Sequence, residues 1–272
     1  MSIKRIKSLF PNEKLDYLAS GVKSAVFKTE SGKIIRVKPI FFGTYEKERR
    51  ILDFIKSTGG GIGCETPSLS CFVRGFRAYS VHDGICGTSF DYGEFSKLAP
   101  ARQKQFAEQL AAALLKLYQM GGMARKNGDK KLFARRDWFS FFRNFRQYLL
   151  IRKYIKKAGI WRKLSRLRES VAAPGGGLIH GDLHGKNIIC GEDFDLAGII
   201  DFDGARFGHF EHNLRKLGAP LVDLVTDWCD KNMEKKLNST RLDYYRMAIL
   251  IKKIRNARDK SAAVKELESL LS

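Results

Sequence analysis

The chain has 272 residues, 44% of them apolar and 29% charged, enough to bury one large domain or two modest lobes and too apolar for a disordered segment. Its formal charge of +21 calls for an anionic partner, with nucleic acid, anionic lipid and phosphorylated substrate all qualifying. Five scattered cysteines without C-x-x-C spacing exclude a zinc or redox motif and read as reduced thiols of a cytosolic protein. No apolar run approaches the roughly 18 residues of a spanning helix, and Met1 to Phe10 lacks the apolar stretch of a signal peptide.

From Leu15 to Pro39 the pattern is strand and turn. Ala25 to Glu30 and Lys33 to Lys38 form a hairpin about Ser31-Gly32. A helix is predicted from about Thr44 to Ser57, with Tyr45, Ile51, Leu52 and Ile55 at helical spacing, and the glycine-rich Thr58 to Gly63 breaks it. Those glycines lack the G-K-[ST] ending of a phosphate loop and read as a connector. A strand pair through Ser70 to Ile85 follows. Gln103 to Met120 is predicted helical, with Phe106, Leu110, Ala113, Leu114 and Leu117 on one stripe and Gly121-Gly122 as its end. Trp138 to Lys157 is a further helix, aromatic on one face and basic around it. After Pro174 to Gly177 come short β-like runs at Leu178-Ile179, Asn187 to Cys190 and Leu196 to Ile200, and the tail from Leu221 to Leu271 is helical again. The order predicts an α+β protein with a β-rich part over 1–85 and a mainly helical part over 86–272, two lobes with a cleft between them.

The chemistry is concentrated in His180-Gly-Asp-Leu-His-Gly-Lys-Asn187 and, after thirteen intervening residues, Asp201-Phe-Asp203. Phosphoryl transfer needs a carboxylate to orient a hydroxyl and accept its proton, and oxygen ligands for Mg²⁺. Asp182 with Asn187 five residues later has the spacing of a kinase catalytic loop, in which the Asp is base and the Asn a metal ligand. Asp201 ends a strand-like run where a second metal-binding Asp belongs, and donors that are all oxygen suit a hard cation. Asp203 reads as supporting Asp201 rather than ligating. His184 belongs to the string and also suits loop packing.

The string resembles the catalytic loop of the aminoglycoside phosphotransferase and choline kinase branch of the kinase-like superfamily. Ile200-Asp-Phe-Asp-Gly-Ala-Arg206 and Asn213-Leu-Arg-Lys-Leu217 also resemble lipopolysaccharide core sugar kinases. The resemblance implies a two-lobed, protein-kinase-like fold with a helical insertion before the catalytic loop, and transfer of phosphate from ATP with Mg²⁺. It makes Asp182 the base, His180 the brace of the loop, and Asn187 and Asp201 the metal ligands. In the N-terminal lobe it places the nucleotide loop at Ser20 to Phe27, with Gly21 its glycine. Lys38 becomes the phosphate-pairing lysine, with Arg36 the alternative on the same strand face by period two. Its partner acid is Glu48, or Glu46, and the adenine lies near Val81 to Gly84, including Asp83.

Arg125 to Arg168 holds sixteen Lys or Arg against two acids, +14 of the whole charge. In the resembling enzymes this stretch builds the acceptor site, and so basic a one favours an anionic acceptor over a polycationic aminoglycoside. A basic and aromatic helix at Trp138 to Lys157 also suits an anionic lipid surface. A lipopolysaccharide core sugar, assembled at the cytoplasmic face of the inner membrane, satisfies both. A kinase of a soluble metabolite is the alternative. A non-catalytic scaffold or nucleic-acid binder is disfavoured by the intact Asp182, Asn187 and Asp201.

Overall fold

The computed structural model describes residues 6–20, 24–126, 166–172, 175–256 and 259–270. Gly21 and the expected helix from Trp138 to Lys157 lie outside them, as do Pro174 and most of the basic stretch. The chain divides into two compact units, one of residues 1–90 with 186–203 and the other of 91–185 with 204–272.

The first unit is built on β1 (Leu15–Ser20), β2 (Ala25–Thr29), β3 (Lys33–Pro39), β4 (Leu69–Arg74) and β5 (Arg77–Asp83). They form one antiparallel sheet in the order β1-β2-β3-β5-β4. Alternation sorts β3 cleanly: Ile35 and Val37 join Phe27, Tyr79 and Ile6 in a core on one face, while Arg36 and Lys38 take the other. Helix α1 (Glu46–Ser57) follows β3 and buries Ile51, Leu52, Phe54 and Ile55. At about 1.5–3 kcal/mol for each large apolar side chain taken from water, this stripe fixes which way the helix faces. The unit is completed by β8 (Ile188–Cys190) and β9 (Leu196–Ile199), with the two-residue β6 (Thr88–Ser89) alongside β8.

The second unit is mainly helical. Asp91 caps α2 (Tyr92–Lys97) by accepting the Glu94 N–H at 3.0 Å. The long α3 (Pro100–Lys126) follows, with Phe106, Leu110, Leu114 and Leu117 fully buried. It packs against β7 (Gly177–Ile179), which pairs with β10 (Arg206–Gly208). Beyond them lie α4 (Glu211–Leu214), α5 (Leu221–Asn232), α6 (Ser239–Asn256) and α7 (Ser261–Leu270). Leu167, Met247, Leu250, Ile254 and Leu267 form a core of their own there.

The end expected for the Gln103 helix is corrected. It runs through Gly121-Gly122 to Lys126, because Gly121 serves a close approach rather than a stop: a Cβ there would lie 2.5 Å from the Leu178 amide nitrogen and 2.7 Å from the Gly177 Cα. Helix and strand meet where only glycine fits.

Candidate active site

Within the second unit, β7 delivers the chain to His180, Gly181 and Asp182, and each of these three residues is held by the segment at α4. The Asn213 side-chain oxygen accepts the His180 N–H at 3.0 Å. Arg215 donates to the Gly181 carbonyl at 2.8 Å. Lys216 donates through its ammonium to Asp182 Oδ1, and Arg215 Nη2 lies 3.8 Å from the same oxygen. His180 is fully buried, and its Nδ1 accepts the Asp182 N–H at 3.3 Å, which fixes the imidazole proton on Nε2 when the ring is neutral. Gly181, at φ +82, brings the loop against the 204–206 segment so closely that a Cβ would sit 2.0 Å from the Gly204 carbonyl oxygen.

Partial burial works to raise the Asp182 carboxyl. The Lys216 ammonium, with His184 and Arg215, outweighs that and holds its pKa below the ordinary carboxylate range. A carboxylate ionised well below neutrality, with its backbone fixed on both sides and its side chain 45% exposed, can orient a hydroxyl and accept a hydrogen bond from it.

In the first unit a second group of charges forms around Arg36. Its guanidinium lies 2.5 Å from Glu48 Oε2 and 3.3 Å from Asp201 Oδ1, and its Nε donates to Ser80 Oγ at 3.1 Å. Burial opposes the Arg36 charge, but Glu48 and Asp201 more than offset it and raise its pKa. Burial lifts the Glu48 carboxyl, against the pull of the same arginine. Glu48 is therefore held by Arg36, the residue weighed as the alternative to Lys38, while Glu46 pairs with Arg49. Lys38 occupies the next position on that strand face, 6% exposed, with its ammonium 4.1 Å from the centre of the Tyr45 ring.

Asn187 and Asp201 are brought to one end of the β8–β9 hairpin by its register. Ile188 pairs with Ile199, and the Ile200 N–H donates to the Asn187 carbonyl at 3.0 Å, so the flanking Asn187 and Asp201 emerge together. Asp201 has φ 66, a left-handed conformation that costs a non-glycine residue about 1–2 kcal/mol and that recurs where function fixes a side chain. Mg²⁺ takes one or two carboxylates and completes its shell with water and phosphate oxygens. One amide oxygen and one carboxylate, the latter 44% exposed, fit that demand. Among the described residues no group of three or more His, Cys, Asp or Glu is arranged to hold a metal.

Asp83 is the exposed last residue of β5, opposite Lys33. Asn213, Arg215 and Lys216 carried no assigned role in the sequence. Their presence beside the Asp201-Phe-Asp203 string was visible, but their contacts with a loop over thirty residues earlier are set by tertiary packing.

No curated protein matches the sequence. Among solved structures, the streptomycin–ATP ternary complex of APH(2")-IIa superposes with a TM-score of 0.68 at 15% identity, covering 98% of this chain and 94% of that one. The GDP complex of wild-type aminoglycoside 2'-phosphotransferase-IIIa gives 0.65 at 16% identity over 98% and 95% of the two chains. The macrolide 2'-phosphotransferase MphH from Brachybacterium faecium gives 0.57 at 10% identity over 98% and 97%. These likenesses establish the kinase-like α+β fold. The sequence pattern of the phosphotransferase enzyme family matches residues 15–235. The chain belongs to that family, and it is an ATP-dependent kinase that phosphorylates a hydroxyl group.

Proposed function

We propose that this kinase transfers the γ-phosphate of ATP to a hydroxyl of an anionic sugar, with a lipopolysaccharide core sugar as the favoured acceptor. The observation that carries the chemistry is the threefold bracing of His180, Gly181 and Asp182 by Asn213, Arg215 and Lys216, which leaves Asp182 ionised and fixed. Asp182 orients the acceptor hydroxyl and takes its proton. His180 holds the Asp182 amide in place. Asn187 and Asp201 hold Mg²⁺, which when bound neutralises charge on the phosphates. Arg36 keeps Asp201 and Glu48 in register, Lys38 and Gly21 contact the nucleotide phosphates, and Asp83 lies at the adenine side. The nucleotide is assigned to the part over 1–85 and the acceptor to the part over 86–272, whose 186–203 hairpin belongs to the first compact unit.

The choice of acceptor rests on charge. Sixteen cations and two acids between Arg125 and Arg168 suit a carboxylated or phosphorylated sugar, and the same basic stretch suits a protein working peripherally on the anionic inner face of the cell membrane. Among the described residues no helix is long and apolar enough to cross a membrane. A second reading, a kinase of a soluble metabolite or an aminoglycoside, is favoured by likeness to the streptomycin–ATP complex over 98% of this chain. The intact Asp182, Asn187 and Asp201 weigh against a non-catalytic scaffold or nucleic-acid binder.

Radiolabelled ATP with Mg²⁺, offered lipopolysaccharide inner-core acceptors, soluble sugars and an aminoglycoside, tests the reading. Label on the core acceptor, lost in Asp182→Ala, supports it. Label confined to a soluble sugar or the aminoglycoside moves the acceptor to the second reading. No transfer and no nucleotide binding would overturn both.

A further inference from the structure

One end of the five-stranded sheet carries an exposed aromatic surface that the phosphotransfer chemistry does not use. The turn after β3 presents Ile40, Phe41 and Phe42, and the Gly75-Phe76 turn joins β4 to β5. Phe41 is 78% exposed and Phe76 89%, among the most exposed large apolar residues described, and Ile40 and Phe42 are exposed beside them. The two turns are tied into one platform by the Ile40 N–H donating to the Phe76 carbonyl at 2.9 Å, and the Phe41 and Phe42 rings lie 4.3 Å apart. Leaving such side chains in water forgoes burial that a packed position would supply, and a cluster of them marks a contact surface.

Within the two segments that carry the platform the charge has one sign. Arg74 and Arg77 stand directly opposite each other across β4 and β5, and neither is ion-paired to another described residue. Facing like charges disfavour the pairing unless an anion intervenes. No acid occurs between Glu30 and Glu46 or between Glu65 and Asp83, and Glu46, the first beyond the platform, is already paired with Arg49. Phenylalanines on turn tips with arginines at their base match an anionic bilayer, in which rings enter the acyl boundary and guanidinium groups meet headgroup phosphates. Binding of single-stranded nucleic acid uses a cationic groove tracking successive phosphates, whereas these residues sit on two turns.

We infer that the Phe41–Phe42 and Phe76 turns, with Arg74 and Arg77, dock this kinase on an anionic lipid bilayer. The inference rests on these exposed turns and not on the acceptor assigned above, so vesicle binding and phosphotransfer fail independently. The test is co-sedimentation of the full chain with phosphatidylglycerol–phosphatidylcholine vesicles and with pure phosphatidylcholine vesicles, for wild type, Phe41→Ser/Phe76→Ser and Arg74→Ser/Arg77→Ser. The exposed positions keep both variants folded, as thermal melts will report. Wild type is expected to bind the anionic vesicles and to release in high salt. Removing the two rings weakens binding about tenfold or more, and removing the cations weakens it roughly fivefold for each arginine. Wild type that stays in the supernatant with anionic vesicles, or variants that bind as wild type does, would overturn the inference. Preferential capture by single-stranded RNA, lost in the same variants, would also overturn it.

Discussion

Replacing Arg36 by Met removes the cation that compensates Glu48. The Glu48 side chain is 1% exposed and that of Arg36 13%, so the variant strands a carboxylate with almost no access to water. Breaking a buried ion pair from one side costs about 3–5 kcal/mol. Ser80, fully buried, also loses its hydrogen bond from Arg36, while the contact with the half-exposed Asp201 contributes little to stability. Because the losses share one group they do not sum, and about 4 kcal/mol is expected, on the order of a 10 °C fall in melting temperature. The loss has a defined pH dependence. Burial already places the folded Glu48 pKa above its ordinary value of 4.5, and removing Arg36 raises it further. A raised folded pKa favours the protonated folded state, so the deficit shrinks as pH falls and is fully developed above the folded pKa. Adding Glu48→Leu should recover most of the loss, since an apolar pair of similar volume replaces a charged one. Thermal unfolding of wild type, both single variants and the double variant completes the cycle. A loss below about 1 kcal/mol for Arg36→Met, or a double variant no more stable than that single variant, would refute the reasoning.

Three further outcomes are expected. Lys216→Met removes the main cation on Asp182, so the Asp182 pKa rises and the acid limb of the rate–pH profile moves to higher pH; an unmoved limb contradicts that role for Lys216. Gly181→Ala places a Cβ 2.0 Å from the Gly204 carbonyl at φ +82, costing the loop roughly 2 kcal/mol or more, and should abolish transfer while far-ultraviolet circular dichroism stays native. Burial, with Arg36 nearby, pushes the His82 imidazole from 6.5 down to about 4. A depressed folded pKa means that stability is complete above about pH 6.5 and is lost as pH falls toward 4, by roughly 3 kcal/mol; His82→Gln should flatten the fall in melting temperature over that window.

The strands and the first helix were legible because their signals are local. The β2–β3 hairpin falls where alternation and the Ser31-Gly32 turn place it, and α1 ends at Ser57, ahead of the glycine-rich connector. The choice between Arg36 and Lys38 was not legible. Period two puts both on one strand face, and only the packing of α1 decides which meets Glu48. Gly121-Gly122 misled for a similar reason: a glycine that ends a helix and one that admits a neighbouring strand look alike in sequence. The string from His180 to Asp203 singled out Asp182, Asn187 and Asp201 as candidates through spacing, yet it said nothing of the left-handed backbone at Asp201 or of the three residues that hold the loop from α4. The two-residue β6 carries no periodicity from which it could have been read.

The most direct test of the account is Asp182→Asn, which keeps the shape of the side chain and removes its capacity to take a proton. Phosphoryl transfer from ATP to the active acceptor should fall by about 10²–10⁴-fold, while calorimetric binding of ATP with Mg²⁺ stays close to wild type. Transfer at the wild-type rate by the folded variant would contradict Asp182 as the base, and with it the reading of the loop from His180 to Asn187.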